Sequence, residues 1–118
     1  MTTQEIANRL VALCRQGNWE GAQDELFSKD AESVEPPHAQ GLQSVKGLNA
    51  IKEKGHQFQN MVETTHGGYV SDPVVAGNRF AVAMGADVTM KGQGRTNMEE
   101  IAVYDVKDGK IVREQFIF

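Results

Sequence analysis

The sequence is poor in the residues that stabilise small secreted domains. It has 118 residues, only one cysteine, Cys14, and three prolines. One cysteine excludes an internal disulfide and is typical of a protein in a reducing compartment, so we expect a cytoplasmic location. Cys14 lies among apolar helical positions and has only Arg15 as a basic neighbour. This setting favours a core residue over a catalytic thiol.

The chain also lacks long apolar runs and an excess of positive charge. No apolar stretch approaches the roughly 18 residues of a membrane span, and the polar start MTTQEIANRL lacks the apolar centre of a signal peptide. The net charge is −4 and the basic residues are scattered, whereas a nucleic-acid-binding surface is usually a basic stripe. We therefore expect no membrane and no nucleic acid as partner, and a single domain over 1–118.

Motifs for metals and cofactors are missing too. The histidines, His38, His56 and His66, have no HxH or HxxxH spacing. No Ser-His-Asp order is present, and Gly92-Gln93-Gly94 is predicted to be a hairpin tip because no helix follows it. We expect neither a metal nor a cofactor.

Apolar periodicity in the first half predicts three helices. Thr2 and Glu5 form a capping-box pattern, and Gly17-Asn18 is a helix end followed by a helix start. These signals predict a helical hairpin over 3–28. A third helix is predicted over 47–62, where apolar residues recur in helical steps. Gly55 lies on its apolar face, so close packing is the expected reason for this glycine.

The second half is rich in β-formers and turn signals. Gly77-Asn78 fits a type II′ hairpin and Asp108-Gly109 a type I′ hairpin, while Pro36 and Pro37 must end the first strand. The predicted strands are 31–35, 64–76, 79–91, 96–107 and 110–118. The order α-α-β-α-β-β-β-β predicts an α+β fold in which three helices pack on one side of an antiparallel sheet. Long strands with internal glycines favour strong curvature, hence a cone with one open end.

Several segments resemble the SnoaL-like proteins of the nuclear-transport-factor-2-like superfamily, whose fold is a cone-shaped α+β domain. They are the strand ending VEPP, the helix start GLNAIKEKG and the closing VYDVKDGKIVREQFIF. The resemblance covers essentially the whole chain and is strongest at DGKI (108–111) and at Gly47, Ala50 and Ile51. It implies a pocket for a hydrophobic small molecule at the open end and a homodimer through the sheet. The superfamily contains ketosteroid isomerases, polyketide cyclases, epoxide hydrolases, dehydratases and members without known activity, so the fold does not settle the reaction.

The ketosteroid isomerases resemble this chain around Val34-Glu35-Pro36. In that branch an aspartate after the glutamate shuttles a proton, whereas Pro36 holds that position here and has no proton-accepting group. Glu35 is one residue away, and a regular strand would turn it to the other face. It is either a functional carboxylate or a solvated residue at the strand end. His38 is either a proton shuttle or a surface histidine, and we expect both side chains near the pocket mouth.

Three further residues complete the candidate catalytic set of Asp87, Glu100, Tyr104, Glu35 and His38. Asp87 lies on a strand face of small residues, where its side chain faces a pocket, a subunit interface or solvent. Glu100 is close to the position where the isomerase branch carries an oxyanion-stabilising acid, although Ile101 is the closer match. Tyr104 shares a strand face with Glu100. Its hydroxyl either donates to an oxyanion or lies at the rim of the core.

Three functions remain open from the sequence. The first is a cofactor-free enzyme that uses acid–base side chains to isomerise, cyclise or dehydrate an apolar carbonyl compound. The second is a protein that binds a hydrophobic ligand without turnover, which the missing aspartate at Pro36 favours. The third is a dimeric scaffold whose cone is filled by Phe and Met side chains.

Overall fold

The computed structural model describes residues 1–39 and 41–118. In this part of the chain three helices pack against a curved, unclosed sheet. The helices are α1 (Thr3–Arg15), α2 (Trp19–Leu26) and α3 (Leu48–Met61). The strands are β1 (Phe27–Val34), β2 (Val45–Lys46), β3 (Val62–Val70), β4 (Val74–Ala76), β5 (Arg79–Met90), β6 (Gly94–Lys107) and β7 (Lys110–Ile117).

The predicted helical hairpin forms, although it ends at Leu26 rather than at residue 28, and both of its helix starts carry side-chain caps. The Thr2 hydroxyl accepts a hydrogen bond from the Glu5 N–H at 3.1 Å, and Glu5 accepts one from the Thr2 N–H at 2.8 Å. The Asn18 side chain accepts from the N–H of Gly21 at the start of α2. These caps satisfy backbone donors that an open helix end leaves unpaired.

The sheet contains the predicted antiparallel meander, formed here by β3, β5, β6 and β7. The prediction of a wholly antiparallel sheet is wrong in one respect, because β1 pairs with β7 in parallel. Ser33 thereby lies beside Glu114. Parallel strands need a long crossover connection, so no local turn pattern in the sequence signals this pairing.

The two predicted hairpin turns are confirmed by their backbone geometry. Asp108 and Gly109 have φ of 52° and 77°, as a type I′ turn requires, and Gly77 has φ of 59°, as the first residue of a type II′ turn requires. By contrast, the packing explanation for Gly55 is wrong. Apart from the backbone of α3 itself and the two neighbouring residues, no atom lies within 4 Å of the place where a Cβ would stand.

The core lies between the helices and the inner face of the sheet. Even-numbered residues of β5 and β6 point inward, and Phe80 stacks on Tyr104 with ring centroids 4.8 Å apart. Ile6 and Leu10 of α1 and Ile51 of α3 complete this core and are almost fully buried. Within the described ranges, no helix is long and apolar enough to cross a membrane.

Candidate functional site

Five polar side chains meet on the inner face of the sheet, where an apolar core would be expected. We call this group, Ser33, Glu35, Lys54, Glu100 and Glu114, the inner polar cluster. Strand alternation turns Ser33 and Glu35 the same way, and the parallel register of β1 and β7 places Glu114 beside Ser33. Lys54 reaches the cluster from α3, one turn after buried Ile51.

Lys54 is the centre of the hydrogen bonds in the inner polar cluster. Its ammonium donates to the Ser33 hydroxyl at 2.5 Å and to Glu35 Oε2 at 2.8 Å. The Lys54 and Glu35 side chains are each only 8% exposed. The ammonium also lies 5.5 Å from the centroid of the Phe116 ring, a favourable position for a cation. The buried positive charge is thus compensated from two sides.

Glu114 is buried at 5% exposure, and burial raises the pKa of its carboxyl to about 7. The Ser33 hydroxyl and the charge of Lys54 act in the opposite direction, because both favour the ionised form. Repulsion from the charges of Glu35 and Glu100 raises the pKa of Glu114, as burial does. The group therefore exchanges its proton near neutral pH, far above the ordinary 4.5 of a glutamate.

Glu100 has a similar environment on the neighbouring strand. Burial, together with the negative charge of Glu35, raises the pKa of its carboxyl to about 7, although the charge of Lys54 acts to lower it. Its chain neighbour Glu99 points to the outer face and lies 3.5 Å from the Tyr69 hydroxyl. Two carboxyl groups that titrate near pH 7 thus belong to one cluster, where they can donate or accept a proton at neutral pH.

Tyr104 closes the inner side of the cluster at 3% exposure. Burial raises the pKa of its phenol well above the ordinary 10, and the nearby Glu114, Cys14 and Glu100 raise it further. The phenol therefore stays a hydrogen-bond donor. Burial also raises the pKa of the Cys14 thiol to about 12, so this thiol stays protonated and the core assignment of Cys14 agrees with its environment.

Two adjoining cavities open beside α3 and the segment that precedes β2. The first, of about 660 Å³, is lined by Gly41, Gln43, Val45, Ala50, Glu53, Lys54, Gln57, Asn60 and Met61. The second, of about 330 Å³, is lined by Gly41, Leu42, Phe58, Asn60, Met61, Met90, Lys91, Gln93 and Met98. Lys54 joins the first cavity to the inner polar cluster. Met98 of the second cavity and Glu100 are alternate residues on one face of β6.

The structure brings three of the five predicted catalytic residues together, namely Glu35, Glu100 and Tyr104. The expectation that a regular strand would turn Glu35 outward is wrong, because the inward positions are Ala31, Ser33 and Glu35. Glu35, rather than Pro36, therefore occupies the end of the inner face.

Asp87 and His38 lie away from the inner polar cluster. Asp87 is on the outer face of β5, where Arg95 donates to both carboxylate oxygens at 3.0 and 2.8 Å. These bonds hold its pKa below the usual range, so the pocket role considered for Asp87 does not fit this placement. His38 is exposed in the segment after β1, and its ring meets the Phe118 ring edge-on at 5.5 Å.

Sequence reasoning missed Lys54 and Ser33 as site residues and did not place Glu114 in the site. A signal for Lys54 was present, because it lies three residues after Ile51 and four before Phe58 on the apolar face of α3. No corresponding signal exists for Glu114, whose position depends on the parallel pairing with β1. Among the residues that the structure describes, no three His, Cys, Asp or Glu side chains are placed to hold a metal ion.

Comparisons with known proteins agree with this architecture. A protein of Mesorhizobium loti, proposed to be a SnoaL-like polyketide cyclase, is 36% identical over 100% of both chains, with a TM-score of 0.92. An NTF2-like protein of Burkholderia thailandensis is 14% identical, with a TM-score of 0.85 over 99% of this chain and 90% of its own. TerC, co-crystallised with polyporic acid, is 22% identical, with a TM-score of 0.75 over 99% of this chain and 92% of its own.

No curated protein matches the sequence significantly. The family described as SnoaL-like domain matches residues 1–118, which is the whole chain. Together with the 36% identity to the Mesorhizobium loti protein, this match confirms the resemblance seen in the sequence. The chain belongs to the SnoaL-like domain family.

Proposed function

We propose that this chain catalyses proton transfer on an apolar carbonyl compound without a cofactor, as an isomerase, cyclase or dehydratase does. The observation that carries the proposal is the meeting of Glu100 and Glu114, both with a pKa of about 7, inside the cone. A general acid or base is most effective when its pKa is near the working pH. Carboxyl groups in apolar surroundings are a known way to achieve this at pH 7.

Glu100 is the primary proton-transfer group in this proposal. It is two residues from Met98, which lines the second cavity, and it is less buried than Glu114. Glu114, at 5% exposure, is the second carboxyl and exchanges protons with the first. The Tyr104 hydroxyl donates to oxygen on which negative charge develops. Glu35 and Lys54 neutralise each other and keep the cluster from accumulating charge.

The relatives support a pocket for a small organic molecule. TerC, which shares the fold, was crystallised with polyporic acid, and the Mesorhizobium loti relative is proposed to be a polyketide cyclase. The cavities of this chain combine methionine and phenylalanine walls with the amides of Gln43, Gln57 and Asn60. Apolar walls with a few polar groups are typical of ligand sites.

The test is hydrogen exchange at the carbon next to the carbonyl. Cyclic and aromatic ketones that raise the melting temperature are selected first, and proton NMR in D2O then follows exchange of the α-hydrogen with the protein present. Glu100→Gln should slow the exchange by about 10²- to 10⁴-fold. Glu99→Gln is the matched control on the opposite face and should retain the rate. Unchanged exchange in both Glu100→Gln and Glu114→Gln contradicts the proposal.

Ligand binding without turnover is the second candidate, because Pro36 occupies the position at which the isomerase branch has its aspartate. In that case ketones raise the melting temperature of the wild type, but the α-hydrogens do not exchange. The same two measurements therefore separate the candidates.

We further propose that the outer face of the sheet forms a homodimer. Ile101 lies between Ala83 and Ile117 in adjacent strands, and Ile101 and Ile117 are about half exposed. Tyr69 packs across Gly85 beside them. Exposed apolar patches of this kind mark interaction surfaces. Light scattering should give a dimer for the wild type and a monomer for Ile101→Glu, and a monomeric wild type would contradict the proposal.

A further inference from the structure

Lys54 belongs both to the lining of the larger cavity and to the inner polar cluster. It is the only buried lysine among the described residues. Lys54 is nevertheless one of the residues that line the 660 Å³ cavity. The ammonium is hydrogen-bonded to Ser33 and Glu35, with the Phe116 ring beside it. A buried lysine in such a setting is suited to covalent chemistry with carbonyl groups.

A proton acceptor for this amine is already in place. Glu35 Oε2 is 2.8 Å from the Lys54 nitrogen, within reach for direct proton transfer. The backbone N–H of Glu35 donates to the Ser44 hydroxyl at 2.8 Å, which fixes the residue that carries the acceptor. The Ser33 hydroxyl, 2.5 Å from the nitrogen, fixes the amine from a second direction. A nucleophile with an adjacent base is the arrangement that covalent catalysis requires.

We propose that Lys54 forms an iminium bond with an aldehyde or ketone ligand. The inference deepens the proposed function and rests on its carbonyl ligand. Glu35 takes one proton from the ammonium, and the free amine attacks the carbonyl carbon. A C–N bond forms while the π pair of the C=O bond moves to oxygen, which takes a proton from the neutral carboxyl of Glu100.

The resulting carboxylate of Glu100 takes a second proton from nitrogen and is neutral again. The hydroxyl of the adduct then receives the proton held by Glu35 and leaves as water, while the nitrogen lone pair forms the C=N bond. One ammonium and one carbonyl have become one iminium and one water, and both carboxyl groups are as they began. The iminium withdraws electrons from the adjacent carbon, so a proton there is removed more readily than from the free ketone.

Reductive trapping tests this bond. The wild-type protein is incubated with cyclohexanone or benzaldehyde and sodium cyanoborohydride, and the adducts are located by peptide mass mapping. Lys54 should gain one alkyl group in a saturable way, about tenfold or more above the partly exposed Lys52, because a bound carbonyl reacts faster than a free one. Lys52→Arg should keep this adduct and Lys54→Arg should lose it. If Lys54→Arg does not fold, the peptide map of the wild-type protein alone decides whether Lys54 carries the adduct.

Two results separate this inference from the function on which it rests. If no saturable adduct forms at Lys54 with either probe, the iminium is excluded, while α-hydrogen exchange that depends on Glu100 still supports acid–base catalysis. If Lys54 is trapped and α-hydrogens do not exchange, the iminium is supported and the proton-transfer function is overturned.

Discussion

The Lys54 ammonium lies 2.8 Å from Glu35 Oε2, and each side chain is only 8% exposed. Among the ion pairs of residues 1–39 and 41–118, this is the one buried on both sides. Arg79–Asp105, for comparison, has an arginine side chain that is 71% exposed. The buried pair links α3 to the end of β1 and places two charged groups in the interior of the cone. It thus connects the stability of the fold with the chemistry of the candidate site.

Removing the lysine from this pair should destabilise the protein strongly. Lys54→Met leaves Glu35 buried without a partner, and we expect a loss of about 3–5 kcal/mol in the free energy of unfolding. The exposed control Arg79→Gln should lose about 0–1 kcal/mol. Urea denaturation followed by circular dichroism measures both. Adding Glu35→Gln to Lys54→Met should recover part of the loss, and no recovery would show that the charge is not its cause.

Stability should decrease as the pH rises from about 4.5 to about 7. The pKa of Glu100 and Glu114 is about 7 in the folded protein and near 4.5 in an ordinary glutamate, so the folded state keeps protons that the unfolded state releases in this window. The free energy of unfolding therefore falls between pH 4.5 and pH 7. Above pH 7 these two groups cause no further loss.

Urea denaturation at several pH values measures this slope. Glu100→Gln and Glu114→Gln, alone and combined, should flatten it between pH 4.5 and 7, while Glu99→Gln should leave it unchanged. Asp87 is ion-paired and its pKa is lowered. Its contribution to stability is therefore lost as the pH falls, at more acidic pH than this window. A slope that persists in the double variant would show that these two carboxyl groups do not carry it.

Alanine at two glycines should have opposite effects. Gly55 is inside α3 and has no atom within 4 Å of a Cβ position, so Gly55→Ala should stabilise the protein by about 0.5–1 kcal/mol. Gly109 has φ of 77° in its turn, and Gly109→Ala should destabilise it by about 1–2 kcal/mol. Thermal unfolding measures both changes, and equal shifts in the two variants would contradict this assignment.

Tyr104 should contribute more through its ring than through its hydroxyl. The ring stacks on Phe80 and meets Phe27 edge-on, so Tyr104→Ala should cost about 3–5 kcal/mol. Tyr104→Phe keeps the ring and should cost only about 0.5–1.5 kcal/mol. If the proposed function holds, Tyr104→Phe should nevertheless slow α-hydrogen exchange, because it removes the donor to the developing oxyanion.

Local patterns predicted most of the secondary structure. Three examples are the capping box at Thr2, the turn at Asp108-Gly109 and the two-residue alternation of β5. Each depends only on residues that are close in the chain, so a short stretch of sequence is enough to predict it. The start of β1 at Phe27 and the two-residue strand β2 were not predicted. Both form through pairing with distant residues.

The sequence by itself determined the helices, the meander, the hairpin turns and which residues share a strand face, because each depends on backbone preferences over a few residues. It also placed Glu100 and Tyr104 on one face. Only the tertiary structure decided that this face is the inner one, that Asp87 is outside and paired with Arg95, and that Lys54 and Glu114 join the cluster. The places of Glu114 and Lys54 follow from the parallel pairing of β1 with β7 and from the docking of α3. The inner face of β5 and β6 is the one whose apolar residues are buried in the core, because burial of apolar surface is the main force that orients a sheet.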